Sequence, residues 1–247
     1  MSYDLFHTVR SDLADVRKIM KIDDDVVGIG YPELLCPMEL SKLDQDIRPA
    51  LVLLVSKLFG FMRHKIICLA AMVQLVFLAL RVHEEVTDKE NSDTAAEKIA
   101  VLFGDYLYSR FFSVGAEAGL TKALRCLANI VCAHSEAKIG ARGGDRNIED
   151  QLPEENKMLF SQACRLAGEI SGAETAEQQC LDNFGRYLGI GYGFLQKEAG
   201  DKALVYFEKA GNELNKLPRG EAHNSLYRLV SFLRECCSTK QLIALKG

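Results

Sequence analysis

The stretch Ile66 to Leu80 runs without a single charged residue and holds one amide, Gln74. A chain with such a segment must either give it to a membrane or wrap protein around it. The run is shorter than the roughly 20 apolar residues that a bilayer-spanning helix needs, so it reads as a buried core helix over about 65–82. The remaining segments have the period to cover it. Leu5, Val9, Leu13, Val16 and Met20 share one stripe of an amphipathic helix. Residues 99–136 read as two more helices joined at Gly115–Gly119, and Pro49 suits the first turn of a helix leading towards Met62. Strand alternation is missing. The pattern predicts an all-α bundle and a single domain over residues 1–247. Two segments, 23–38 and 139–156, are loops by composition.

Composition narrows the partners. A net charge of −4 leaves no basic footprint for nucleic acid. Eight cysteines are scattered without a C-x-x-C pair, several of them inside apolar helical runs. That favours a reduced, cytoplasmic protein with neither disulfide framework nor structural zinc. The first residues include Asp4 and no apolar core flanked by basic residues, so no signal peptide is expected, and no transmembrane segment.

Chemistry concentrates where the apolar helix ends, at His83-Glu84-Glu85-Val86-Thr87-Asp88. Glu84 and Asp88 lie four apart and share a helix face. Two carboxylates one turn apart can share magnesium with a diphosphate, and the metal then neutralises a departing diphosphate. An acidic helix end facing solvent explains the same residues without any metal. Asp23-Asp24-Asp25 lacks helical spacing and reads as a solvated turn. The glycines of 140–144 can cradle phosphate, but no strand precedes them.

The acidic stretch, followed by Gly104-Asp105-Tyr106-Leu107, resembles the trans-polyprenyl diphosphate synthases, whose first metal site reads H-D-D-x-x-D before a G-D-Y-L. The resemblance covers about Leu40 to Arg234. Where that family has G-G-K-R-L-R-P, whose lysine and last arginine grip isopentenyl diphosphate, this chain has Leu43-Asp44-Gln45-Asp46-Ile47-Arg48-Pro49. Two cations fewer and one anion more, at Asp46, argue against tight diphosphate binding. Phe77 stands for a diphosphate-holding histidine and Gln74 for a glutamate. Lys157-Met158 stands for the Lys-Thr that contacts the allylic diphosphate. Asn183 to Ile190 matches well, but the F-Q-x-x-D-D-x-x-D of the second metal site is here Phe194-Leu195-Gln196-Lys197-Glu198-Ala199-Gly200, without an aspartate. The chain then passes directly to the family's last helices, with Leu217-Pro218 in a turn and Leu226 to Leu233 in the closing helix.

The resemblance implies the isoprenoid synthase bundle, shortened after the second metal-site helix. It also implies a non-catalytic or regulatory subunit of a heteromeric long-chain synthase, similar to the small subunits of hexaprenyl and heptaprenyl synthases. Its partner would be a full-length catalytic subunit, with self-association into a homodimer when alone as an alternative. The helix Ile66–Val82 would form the wall that sets chain length, through Val76, Ala79 and Leu80. Other readings are a reduced but active prenyltransferase and a module that binds a prenyl chain or a protein. In the active reading Glu84, Glu85 and Asp88 would hold Mg2+, while Arg48 and Lys157 would hold diphosphate.

Overall fold

The computed structural model describes residues 5–20, 41–84, 94–141 and 151–238, and among these there are nine α-helices and no strand. They are α1 (Arg10–Met20), α2 (Lys42–Ser56), α3 (Arg63–Glu84), α4 (Thr94–Glu117), α5 (Thr121–Ala141), α6 (Gln151–Ile170), α7 (Thr175–Gln196), α8 (Gly200–Leu214) and α9 (Glu221–Ser238). A 3-10 turn, His7–Val9, leads into α1. Asp23-Asp24-Asp25 and most of the 140–144 glycine cluster lie outside the described residues.

The uncharged run is the middle of the molecule. Every side chain from Ile66 to Leu80 is buried, and α3 touches α1, α2, α4, α5 and α6. It is long and apolar enough to cross a membrane, but its apolar surface is covered by the other helices. Burying each of its leucine, valine and isoleucine side chains contributes about 1.5–3 kcal/mol, which makes α3 the thermodynamic centre of the bundle.

Two boundaries differ from expectation, each for a local reason. Pro49 lies inside α2, well past its first turn, because Ser41 starts the helix early: its Oγ accepts the Asp44 N–H at 3.1 Å. Pro49 therefore interrupts the i→i−4 ladder of a helix buried from Ile47 to Ser56. Helix α4 runs through Gly115 to Glu117, and the turn falls at Gly119, whose φ of +67° is the left-handed conformation open to glycine. Gly115 serves a different purpose, since a Cβ there would sit 2.5 Å from Leu124 of α5. The segment 151–156 is helical rather than loop, with Pro153 tolerated in the first turn of α6.

The most extensive helix pair is α6 with α7. Two glycines on α7 allow it: a Cβ on Gly185 would lie 2.3 Å from the Phe160 carbonyl oxygen, and one on Gly189 2.4 Å from that of Asn156. This backbone-to-backbone approach draws the far end of α7 over Asn156 and towards α2. The α7–α8 turn follows at once, with Glu198 at φ +60° and the Ala199 N–H bonded to the Phe194 carbonyl. Leu217-Pro218 lies in the turn between α8 and α9, and Leu226 to Leu233 lies within α9.

Candidate functional site

Helices α2, α3, α6 and α7 meet at one buried polar cluster. At its centre is Arg48, only 1% exposed. Its guanidinium lies over the Phe77 ring at 3.4 Å, with the Phe160 ring at 5.3 Å. Nη2 donates to Asn156 Oδ1 at 2.7 Å, and Nη1 lies 3.7 Å from Asp44 Oδ1 while donating to the Asp44 carbonyl at 3.3 Å. Burial pulls the Arg48 guanidinium below its ordinary value, and the nearby Asp44 opposes that.

Asp44 gathers donors from both sides. Tyr192 donates its hydroxyl to Asp44 Oδ1 at 2.7 Å, and Gln196 Nε2 donates to the same oxygen at 3.1 Å. Ser41 Oγ donates to Oδ2 at 2.9 Å. Gln74 donates to the Asp44 carbonyl at 3.3 Å. Asn156 closes the ring by donating to Gln196 Oε1 at 3.0 Å. Burial first, and the Asp44 charge second, raise the Tyr192 phenol well above its ordinary value, so it stays a neutral donor. Two polar atoms remain without a hydrogen bond, Arg48 Nε and Gln74 Oε1.

The end of α3 forms a second cluster. Glu84 Oε2 pairs with Arg81 at 2.5 Å, and Oε1 lies 3.2 Å from Lys138 and 4.0 Å from His134 of α5. His83 stacks on Tyr108 and approaches Asp105 at 3.7 Å. Gly104 makes room for that ring, since a Cβ would come within 2.4 Å of it. Burial pushes the Tyr108 phenol up to about 12.

The sequence candidates thus scatter. Arg48 is enclosed by protein partners, and Glu84 is bound to cations. Glu85 and Asp88 lie outside the described residues. Val76 and Ala79 are sealed in the core, with Leu80 4% exposed. Lys157 lines a cavity of about 420 Å3 between α5, α6 and α7, together with Met158, Arg165 and Arg186. Asp182 faces the same cavity, where it accepts from Ser161 at 2.5 Å and Arg186 at 2.8 Å.

The active-enzyme reading needs magnesium between two carboxylate sets; Glu85 and Asp88 lie outside the described residues, and the described residues do not by themselves make up such a site. Among them no three His, Cys, Asp or Glu side chains stand together as a metal site. A hard cation needs oxygen donors left open to it, yet both Glu84 oxygens face cations. Lys197, at the C-terminal cap of α7, brings an ammonium whose Nζ is buried and finds no hydrogen-bond partner among the described residues. Asp44, Asn156, Tyr192 and Gln196 form a unit that sequence reasoning misses. The signals for it in sequence are the i,i+4 pairings of Asp44 with Arg48 and of Tyr192 with Gln196.

No family model matches the chain. Among curated proteins it is 26% identical over 188 residues to the octaprenyl diphosphate synthase of Escherichia coli K12, covering 69% of this chain and 55% of that protein. It is also 26% identical over 239 residues to heptaprenyl diphosphate synthase component 2 of Bacillus subtilis, covering 90% of this chain and 66% of that protein. The chain spans about half the length of the first of these relatives. In structure it superposes on a decaprenyl diphosphate synthase from Rhodobacter capsulatus with a TM-score of 0.75 and 19% identity, covering 94% of this chain and 98% of that one.

Proposed function

We propose, from the premise that this chain is a homologue of the trans-polyprenyl diphosphate synthases and has their helical fold, that it is a non-catalytic subunit of a heteromeric long-chain synthase. It would act as one helical domain alongside a full-length catalytic subunit. The observation that carries this reading is the electrostatics of the two positions where the sequence resemblance implies metal sites. Glu84 is paired with Arg81 and Lys138, and Lys197 sets a buried ammonium where the resemblance implies a carboxylate. A magnesium cluster bridging a diphosphate needs anionic donors on both sides. Among the described residues, one side offers an anion already paired with cations and the other a lysine.

In this reading magnesium and catalysis reside in the partner, while this chain supplies a rigid surface. Val76, Ala79 and Leu80 belong to the same proposal, as the part of α3 that bears on chain length. Component 2 of the Bacillus subtilis enzyme, by its name one component of a larger synthase, is the relative that supports a divided enzyme.

The test is a prenyl-transfer assay with magnesium, isopentenyl diphosphate and farnesyl diphosphate, run on this chain alone and then mixed with a full-length homologue from the same organism. The expected result is silence alone and long-chain product in the mixture, unchanged within about twofold by Glu84→Ala in this chain. Turnover by the isolated chain, or a mixture silenced by Glu84→Ala, would restore the active-enzyme reading.

A further inference from the structure

The Asp44 carboxylate is the point on which a whole cradle converges. Its Oδ1 receives the Tyr192 hydroxyl and the Gln196 amide and faces the Arg48 guanidinium, while Ser41 holds its other oxygen. A buried guanidinium, a phenol and an amide aimed at one oxygen are what a protein offers to a bound oxyanion. Here the oxyanion is part of α2. Arg48 has no alternative position in view: it is sandwiched by Phe77 and Phe160 and tied to Asn156. The pattern that the chain resembles has glycine at this place, with no side chain to offer.

We propose that Asp44 is a built-in anion, whose carboxylate fills the cradle of Arg48, Tyr192 and Gln196 and keeps phosphate-class oxyanions out of it. The exclusion is electrostatic and steric together. An entering phosphate would meet a like charge 3.7 Å from the cation it needs. It would also have to displace hydrogen bonds at 2.7 and 3.1 Å. The inference rests on the subunit reading only for the identity of the excluded ligand, the phosphate group of a prenyl-synthase substrate.

Inorganic phosphate, without metal, is the probe, and the readout is thermal melting of the full chain at neutral pH. Wild type is expected to show no shift. Asp44→Ala should melt lower, because Arg48 loses its counter-charge, and should regain melting temperature as phosphate is added, by mass action on the folded state. Its apparent affinity should exceed that of wild type by at least about tenfold, given a like charge removed from 3.7 Å beside the guanidinium. Asp44→Ala/Arg48→Met should lose the response. Asp44→Asn, which keeps the volume and drops the charge, serves if the alanine variant does not fold, and should also bind phosphate more tightly than wild type.

Equal shifts in wild type and variants would overturn the proposal. So would folded variants blind to phosphate, or a response that survives in Asp44→Ala/Arg48→Met, which marks an anion bound elsewhere. Neither a second subunit nor turnover enters the measurement. Its failure would leave the outcome of the mixing assay untouched, and a failed mixing assay would leave this result standing.

Discussion

Substituting alanine at two helical glycines should have opposite effects, and the contrast measures how closely α6 and α7 approach. At Gly185 a Cβ would sit 2.3 Å from the Phe160 carbonyl oxygen, 2.7 Å from its carbon and 2.9 Å from the Ser161 Cα. All three are backbone atoms, so no rotamer change relieves the clash. Real Cβ contacts essentially never fall under 3.0 Å, so the helices must part by about 0.7 Å or more. Forcing an extra methyl into a packed interface costs about 1–3 kcal/mol, and this site, where only backbone can yield, belongs at the upper end. Helix propensity offsets about 1 kcal/mol of that on replacing glycine by alanine. The net expectation is a loss of about 2 kcal/mol, or about 5 °C for a domain of this size. Gly211, in the last turn of α8, has nothing within 4 Å of a built Cβ. There propensity acts alone, and alanine should stabilise by up to about 1 kcal/mol, the value for a helix interior. Urea unfolding followed by helical circular dichroism, with unchanged m-values, reads both variants. If Gly185→Ala were as stable as wild type, the helix contact that brings Asn156 beneath α7 would not exist as described.

The other expectations concern charge. Arg48→Met should destabilise by about 3 kcal/mol, the lower end for breaking a buried pair, because the half-buried Asp44 carboxylate loses its counter-charge but keeps the Tyr192, Gln196 and Ser41 donors; in a double-mutant cycle with Asp44→Asn the second change should then cost far less than it does alone. Independent, additive losses in urea unfolding would contradict the pairing. His223, buried in α9, meets the Leu214 carbonyl at 3.1 Å and Arg219 at 3.2 Å through Nε2, and burial lowers its pKa below the usual 6.5. The unfolded chain therefore takes up the proton first, so stability present above pH 6.5 is lost as pH falls through and below that value. Melting temperature between pH 8 and pH 5 should fall more steeply in wild type than in His223→Gln, and parallel slopes would show that His223 does not contribute.

How much of the structure is legible in the sequence follows from what each feature depends on. The central helix announces itself, because an uncharged run too short for a bilayer has few other fates, and burial from Ile66 to Leu80 is what that run implies. Pro49 misleads, because its preference for a first turn says nothing of the capping serine ahead of it, which starts the helix sooner. The Asp44 cluster is not legible. Its members come from α2, α6 and α7, and the aspartate lies 148 positions from Tyr192 and 152 from Gln196. Local periods link Asp44 to Arg48 and Tyr192 to Gln196, but none joins one helix to another. By sequence Asp46 is the disabling charge in that segment, whereas in the structure Asp46 pairs with the exposed Arg17 at 2.6 Å and it is Asp44 that faces the buried Arg48.

That exchange of roles bears on how a buried arginine at this position is kept stable by the chain's own residues. A buried guanidinium is tolerated only when its charge is compensated. In a site that awaits a ligand, part of that compensation arrives with the ligand, and the empty protein bears the deficit. Here Asp44 and Asn156 supply the compensation from within, and Phe77 places an aromatic face 3.4 Å from the guanidinium, where a cation gains further stabilisation. Arg48 then becomes a structural tie between α2, α3 and α6 that needs no substrate to be stable. Loss of the arginine would harm this chain through folding rather than through binding. That is why the Arg48→Met variant should fail first in urea and only as a consequence in the mixed assay.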